Sequence, residues 1–164
     1  TLVGIYSNAV SLSEAVMLFG SSLALVQYSS LSNNEDDSSS KQFSWKMSKI
    51  NGIFTAGALL VLCLLPSEVY SFIFGKGFEE ISQAIRILSI GVLPLSIASN
   101  FTQYFYAKGN FKISTFASII GLIVTIIAGL ILIPKYQLQG AAFTATLSYF
   151  TTFAIEFYFF VFRK

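Results

Sequence analysis

Between Ile81 and Tyr106 the chain reads ISQAIRILSIGVLPLSIASNFTQYFY, and the few polar residues in it fall at a spacing that can carry chemistry. Arg86, Ser89, Ser96, Asn100 and Gln103 step by 3, 7, 4 and 3, with Leu93 at the one missing position. On an α-helix that spacing draws one stripe, and the remaining faces are Ile, Leu, Val, Phe and Ala. A guanidinium followed by hydroxyls and carboxamides can line a polar path. The plainer alternative is that the same groups bond neighbouring helices to one another. A second candidate is Glu14, the one ionisable residue between Thr1 and Leu31, which shares a helical face with Ser7, Ser11, Ser21 and Ser22. A carboxyl at that depth is either protonated or paired with a cation or with water. It reads as an ion-coupling group or substrate contact, or else as a structural hydrogen bond between helices.

These groups need elements that hold them, and composition says the elements cross a membrane. Of 164 residues, 54% are hydrophobic and 11% charged, with a mean hydropathy of +0.70, whereas soluble domains carry about 25% charged residues. The 26 residues from Ile81 to Tyr106 rise roughly 39 Å as a helix, enough to cross a hydrocarbon core of about 30 Å. Arg86 in hydrocarbon costs about 3 kcal/mol, so the stripe is expected to face other helices or a watered cavity. Gly91 and Pro94 sit mid-span and can kink this helix. Net charge is +2 without a basic block, so nucleic acid is not expected as a partner. The absence of His and the single cysteine, Cys63 in GALLVLCLLP, remove disulfide frameworks, His/Cys metal clusters and Cys–His or Ser–His nucleophile pairs. No catalytic residue, metal or cofactor is expected. A membrane glycosyltransferase would need clustered carboxylates, and only Glu35, Asp36 and Asp37 cluster, in a polar loop.

The expected fold is all-α, a polytopic transmembrane helix bundle in a single domain, with five spans at about 2–31, 46–65, 79–107, 111–133 and 139–162. SSLSNNEDDSSSKQFS (29–44) reads as an exposed linker, and Trp45 sits where an interfacial aromatic belongs. SEVYSFIFGKGFEE is too short to span; Ser67 can cap a short helix lying in the interface and ended by Gly75 and Gly77. AKGN (107–110) and KYQLQG (135–140) turn the chain, and Ala117, Gly121, Thr125 and Gly129 form a small-residue ridge for close helix packing. If the spans alternate, one side carries Lys41, Lys46, Lys49, Lys108, Lys112, Arg163 and Lys164 and the other Lys76, Arg86 and Lys135, so the C-terminus is expected in the cytoplasm and Thr1 outside. A chain opening on Thr1, outside and on a spanning helix, is expected to be the C-terminal piece of a longer transporter.

Four segments in order, SNAVSLSEAVMLFGSSLALVQYSSLS, LLPSEVYSFIFGKGFEE, QYFYAKGNFK and LIPKYQLQGAAFTATLSY, resemble the polysaccharide-transporter family. These are the Wzx-type oligosaccharide (O-antigen) flippases of bacteria, in the MATE-like superfamily that also holds the lipid II flippases. The resemblance implies two lobes of helices around a central cavity, this chain being the last five helices of the C-terminal lobe. It implies movement of undecaprenyl-diphosphate-linked oligosaccharide units across the cytoplasmic membrane for surface polysaccharide or lipopolysaccharide biosynthesis, coupled to a proton or sodium gradient. The implied partners are the lipid-linked oligosaccharide, membrane lipid, the N-terminal helices of the same protein and the polysaccharide polymerase machinery. On that reading Arg86 pairs with the diphosphate, Ser11, Ser89, Ser96, Asn100 and Gln103 meet sugar hydroxyls, and Glu14 couples the ion. Where the family commonly reads KYG-x-x-GAA this chain has Gln137, which puts the geometry of that turn in question. A MATE-type drug or metabolite cation antiporter and a non-transporting accessory membrane protein are the alternatives.

Overall fold

The computed structural model describes residues 2–34, 36–75, 78 and 80–162. Expectations that rest on Thr1, Glu35, Lys76, Gly77, Arg163 and Lys164 lie outside them. Among the described residues every regular element is an α-helix: α1 (Leu2–Ala15), α2 (Met17–Ser32), α3 (Asp37–Leu64), α4 (Ser67–Phe74), α5 (Ile81–Ala107) and α6 (Phe111–Phe162). Helices α1 and α2 are one apolar run bent by 42° at Val16. Three helices are long and apolar enough to cross a membrane, or four if the bent pair is one span.

The longest of these is two rods. A 52-residue helix would measure about 78 Å, more than twice a hydrocarbon core. The chain instead reverses at Gln137, whose φ of 47° and ψ of −116° are not helical. The arms 111–136 and 138–162 then lie antiparallel: Ser148 Oγ donates to the Gly121 carbonyl at 2.9 Å, and a Cβ on Gly129 would stand 3.7 Å from Thr144 Cγ2. The turn at KYQLQG therefore forms without a glycine at its first special position. Gln137 occupies a region that L residues enter at a cost of about 1–3 kcal/mol.

Two other boundaries differ from the sequence reading. The polar segment 29–44 is not one long linker, because α2 continues through Ser32 and α3 begins at Asp37. The Asp36 carboxylate accepts from Ser38 N at 3.1 Å and Ser39 N at 3.2 Å, and this cap starts a helix in a serine run of modest helix propensity. At α4, Pro66 rather than Ser67 holds the capping position, and Gly75 at φ 98° ends the helix. The α5 terminus follows its sequence signal: Gly109 takes φ 71°, Asn110 N donates to Phe105 O at 2.7 Å and Gly109 N to Tyr106 O at 3.0 Å, a Schellman closure.

Helix α5 is the axis, packed against α1, α2, α3, α4 and α6. One apolar cluster gathers Ile5, Ala9, Tyr70, Ile81, Ile85, Leu88 and Ala142 around its first half. A second gathers Leu31, Phe101, Tyr104, Phe105, Ile113 and Phe160 around its last turns. The expected kink at Gly91 and Pro94 does not interrupt α5, which runs unbroken with Pro94 inside it. Gly91 serves packing instead. It lets the second arm of α6 approach until Thr146 Oγ1 donates to the Ile87 carbonyl at 2.9 Å.

A Cβ on Gly91 would stand 2.7 Å from Thr146 Cα, a backbone atom that cannot swing aside. Gly91→Ala should therefore destabilise the protein by about 1–3 kcal/mol, read as a lower melting temperature of the full-length protein in detergent. Gly57→Ala, where nothing lies within 4 Å, should leave the melting temperature unchanged or raise it.

Candidate functional site

The most buried carboxyl among the described residues is Glu156, 2% exposed, on the second arm of α6. It lines an open cleft of about 290 Å³ between α5 and both arms of α6, with Met17 at the start of α2 among the lining residues. Ser99, Thr102 and Gln103 face it from α5, Ser114 and Ser118 from the first arm, and Thr152 from one turn before Glu156. The Thr102 hydroxyl lies 2.9 and 2.8 Å from the two carboxylate oxygens and 3.2 Å from the Ala98 carbonyl. It has one proton, so it can satisfy only one of these acceptors at a time. Ser114 stands beside the carboxyl without closing a full hydrogen bond to it. Its polar lining is thus one acid among hydroxyls and an amide, oxygens suited to a proton or a hard monovalent cation, beside Met17, Leu95, Ala98 and Tyr106.

A second acid lies on the same arm's reach. Glu14, half-buried on α1, accepts a short hydrogen bond from the Tyr149 hydroxyl, and Tyr6 is close enough to feel its charge. Tyr149 and Glu156 are seven residues apart, two helical turns on one face, so a single helix holds one acid and contacts the other.

The stripe read along α5 divides in the structure. Ser96, 1% exposed, donates to Asn51 Oδ1 at 3.1 Å and lies 2.7 Å from the Thr55 hydroxyl. Asn51 Nδ2 returns a bond to the Ser96 carbonyl at 2.8 Å. Asn100 is fully buried, and its carbonyl accepts from Gln27 Nε2 at 2.8 Å while the same amide also donates to Ser44 Oγ at 3.0 Å. Ser89 donates to the Ile85 carbonyl at 2.7 Å and packs 3.3 Å from Cys63 Sγ. Ser96 and Ser89 meet α3 through their side chains, whereas Asn100 bonds α2 through its backbone carbonyl and its Oδ1 has no partner. Gln103 alone of the stripe lines the Glu156 cleft. Arg86 is exposed on α5, outside the packing among these helices. Ser11 is exposed on α1.

Two features escaped the sequence reading. The face of α3 running Ser40, Ser44, Ser48, Asn51 and Thr55 is buried, a signal of small polar residues at three- and four-residue spacing hidden in what read as a linker. Glu156 shares a face with Ala145, Ser148 and Thr152; its depth beside Thr102 is tertiary information.

Residues 3–164 match the family described as lipid II flippase MurJ. The capsular polysaccharide biosynthesis protein CapF of Staphylococcus aureus is 34% identical over 110 residues, which cover 66% of this chain and 28% of that protein. Two uncharacterised membrane proteins of Methanocaldococcus jannaschii are also similar: MJ1375, 26% identical over 153 residues, covering 93% of this chain and 36% of that protein, and MJ1068, 28% identical over 100 residues, covering 61% and 20%. The chain thus spans between a fifth and about a third of the length of these relatives. No solved structure matches it.

Asn51 joins α3 to α5 through both ends of its carboxamide. Asn51→Leu keeps the volume and strands the Ser96 and Thr55 groups, so it should lower the stability of the full-length protein by about 1–3 kcal/mol in chemical unfolding. Combined with Ser96→Ala, the loss should fall short of the sum of the single losses, since both remove the same bonds.

Proposed function

The chain belongs to the lipid II flippase MurJ family, and from that premise we propose that it is part of a carrier that moves a lipid-linked saccharide precursor across the cytoplasmic membrane for assembly of a surface polysaccharide. The match over nearly the whole chain carries the reading, and the name of the relative CapF supports a capsular or similar polysaccharide as its destination. The family is one of transporters, which favours a carrier over an antiporter of drugs or a bystander. The match is to the lipid II branch of the superfamily, so the O-antigen units implied by resemblance narrow to a broader cargo: a sugar unit on a diphosphate-linked lipid.

The chemistry of the lobe fits that cargo. The polyprenyl tail can remain in lipid, because tails are as apolar as the Ile and Leu flanks, while the headgroup needs a hydrophilic route. Arg86, exposed on the lobe, is the candidate to meet the diphosphate as a fork donor. Glu156 and Glu14 are the candidates for ion coupling. Each can take a proton or cation in one state of the carrier and release it in the other, and the second arm of α6 touches both. The C-terminus is proposed to lie in the cytoplasm on the balance of basic residues.

The test is export by the full-length protein in cells. Glu156→Gln and Glu14→Gln, nearly isosteric, should each cut surface polysaccharide at least tenfold at equal protein level, with lipid-linked precursor accumulating on the cytoplasmic side; Arg86→Ala should do so more weakly. Full export with both acids replaced, and no precursor accumulation, would reject the coupling roles. Full export after deletion of the gene would reject the carrier.

A further inference from the structure

At the membrane end shared by the start of α1, the start of α5 and the α6 turn lies a groove of about 330 Å³, within the range of small-ligand sites. Its polar lining is Glu80, Gln83, Lys135, Tyr136, Gln137 and Gln139. Three carboxamides and a phenol in one place are unusual in a chain that is 54% hydrophobic, and the two charges oppose each other. Gln139 Nε2 donates to Gln83 Oε1 at 3.1 Å, which sets the two exposed amides side by side. That bond uses one donor of Gln139 and one acceptor site of Gln83, leaving the Gln83 amide hydrogens and the Gln139 carbonyl oxygen for another partner. Tyr136, 57% exposed, offers an aromatic face beside them. Gln137 supplies the third amide from a backbone at φ 47°, a conformation that a glycine would adopt without strain. Strain of that kind is kept where the side chain it places is used.

Resting on the carrier reading above, we propose that this groove is a saccharide subsite, taking a neutral, hydroxyl-rich sugar ring of the cargo. Adjacent amides give paired donors and acceptors that match vicinal hydroxyls, and a tyrosine ring covers the apolar face of a pyranose. The single lysine opposed by Glu80 argues against an anion: a diphosphate would meet as much repulsion as attraction. On the orientation expected from the basic residues the groove opens outside, where a sugar arrives after crossing.

The full-length protein in phosphatidylcholine nanodiscs, probed by saturation-transfer NMR with N-acetylglucosamine and methyl glucoside, tests this, with inorganic pyrophosphate as the anionic control. Saccharide signals should appear in the parent, fall at least fivefold in Gln139→Ala and Gln137→Gly, and be insensitive to pyrophosphate. Gln137→Gly should also melt several degrees higher than the parent, so that lost binding cannot be ascribed to lost folding. A parent without saccharide signal, a signal that pyrophosphate displaces, undiminished signals in both variants, or a Gln137→Gly protein no more stable than the parent would each overturn the subsite. If saccharide signals behave as expected while deletion of the gene leaves surface polysaccharide intact, the carrier reading falls and with it the assignment of the sugar as cargo. If deletion abolishes polysaccharide and no saccharide signal appears, the subsite alone falls.

Discussion

An amide inside a bilayer has no water to turn to, so its partners must come from the protein, and this lobe is assembled around that requirement. Asn51 meets it most fully: its carboxamide engages the backbone and hydroxyl of Ser96 and the hydroxyl of Thr55, and it presses against Gly20, where the absence of a side chain makes room. Gln27 meets it in part: its Nε2 ties α2 to Ser44 of α3 and to the Asn100 backbone carbonyl of α5, while its own Oε1 and Asn100 Oδ1 find no partner. Apolar clusters lie at the two ends of α5 and polar bonds between them. In water the clusters would drive assembly. In lipid, where apolar contact is nearly neutral, the polar layer and close packing decide which helix meets which.

The second arm of α6 gathers the lobe's chemistry. It buries Glu156 against Thr102, presents Tyr149 to Glu14, and seats Thr146 on the Ile87 carbonyl through the opening left at Gly91. Its position is set by the reversal at Gln137 and by Gly140, whose missing Cβ lets the backbone of Leu132 come close. Geometry that a turn imposes at one end therefore reaches the acids along one rigid helix.

Much of the architecture was legible because lipid leaves few choices. Apolar runs of spanning length and breaks at Pro66, KGN and KYQLQG located the rods; of the small-residue ridge, Ala117 and Gly121 are buried, Gly129 is half-buried and Thr125 is exposed. What failed was everything that depended on a partner far away in sequence. Ser44 read as solvated until α2 brings Gln27 to it, so α3 was started too late. Glu156 shares a helical face with Ala145, Ser148 and Thr152, but only Thr102, 54 residues earlier, reveals its depth.

The first arm of α6 shows Leu122, Ile126, Ile127 and Leu130 on its outside, each more than half exposed, and on its inside little more than Ala117 and Gly121 against Ser148 and Thr152. Because the outer residues stand more than half exposed, swapping one large aliphatic for another there changes little, while one extra methyl at Gly121 meets the Thr152 hydroxyl at 2.7 Å. Mutational tolerance along this helix thus runs opposite to that of a water-soluble core: the bulky positions drift freely, and the smallest residues are the ones under constraint.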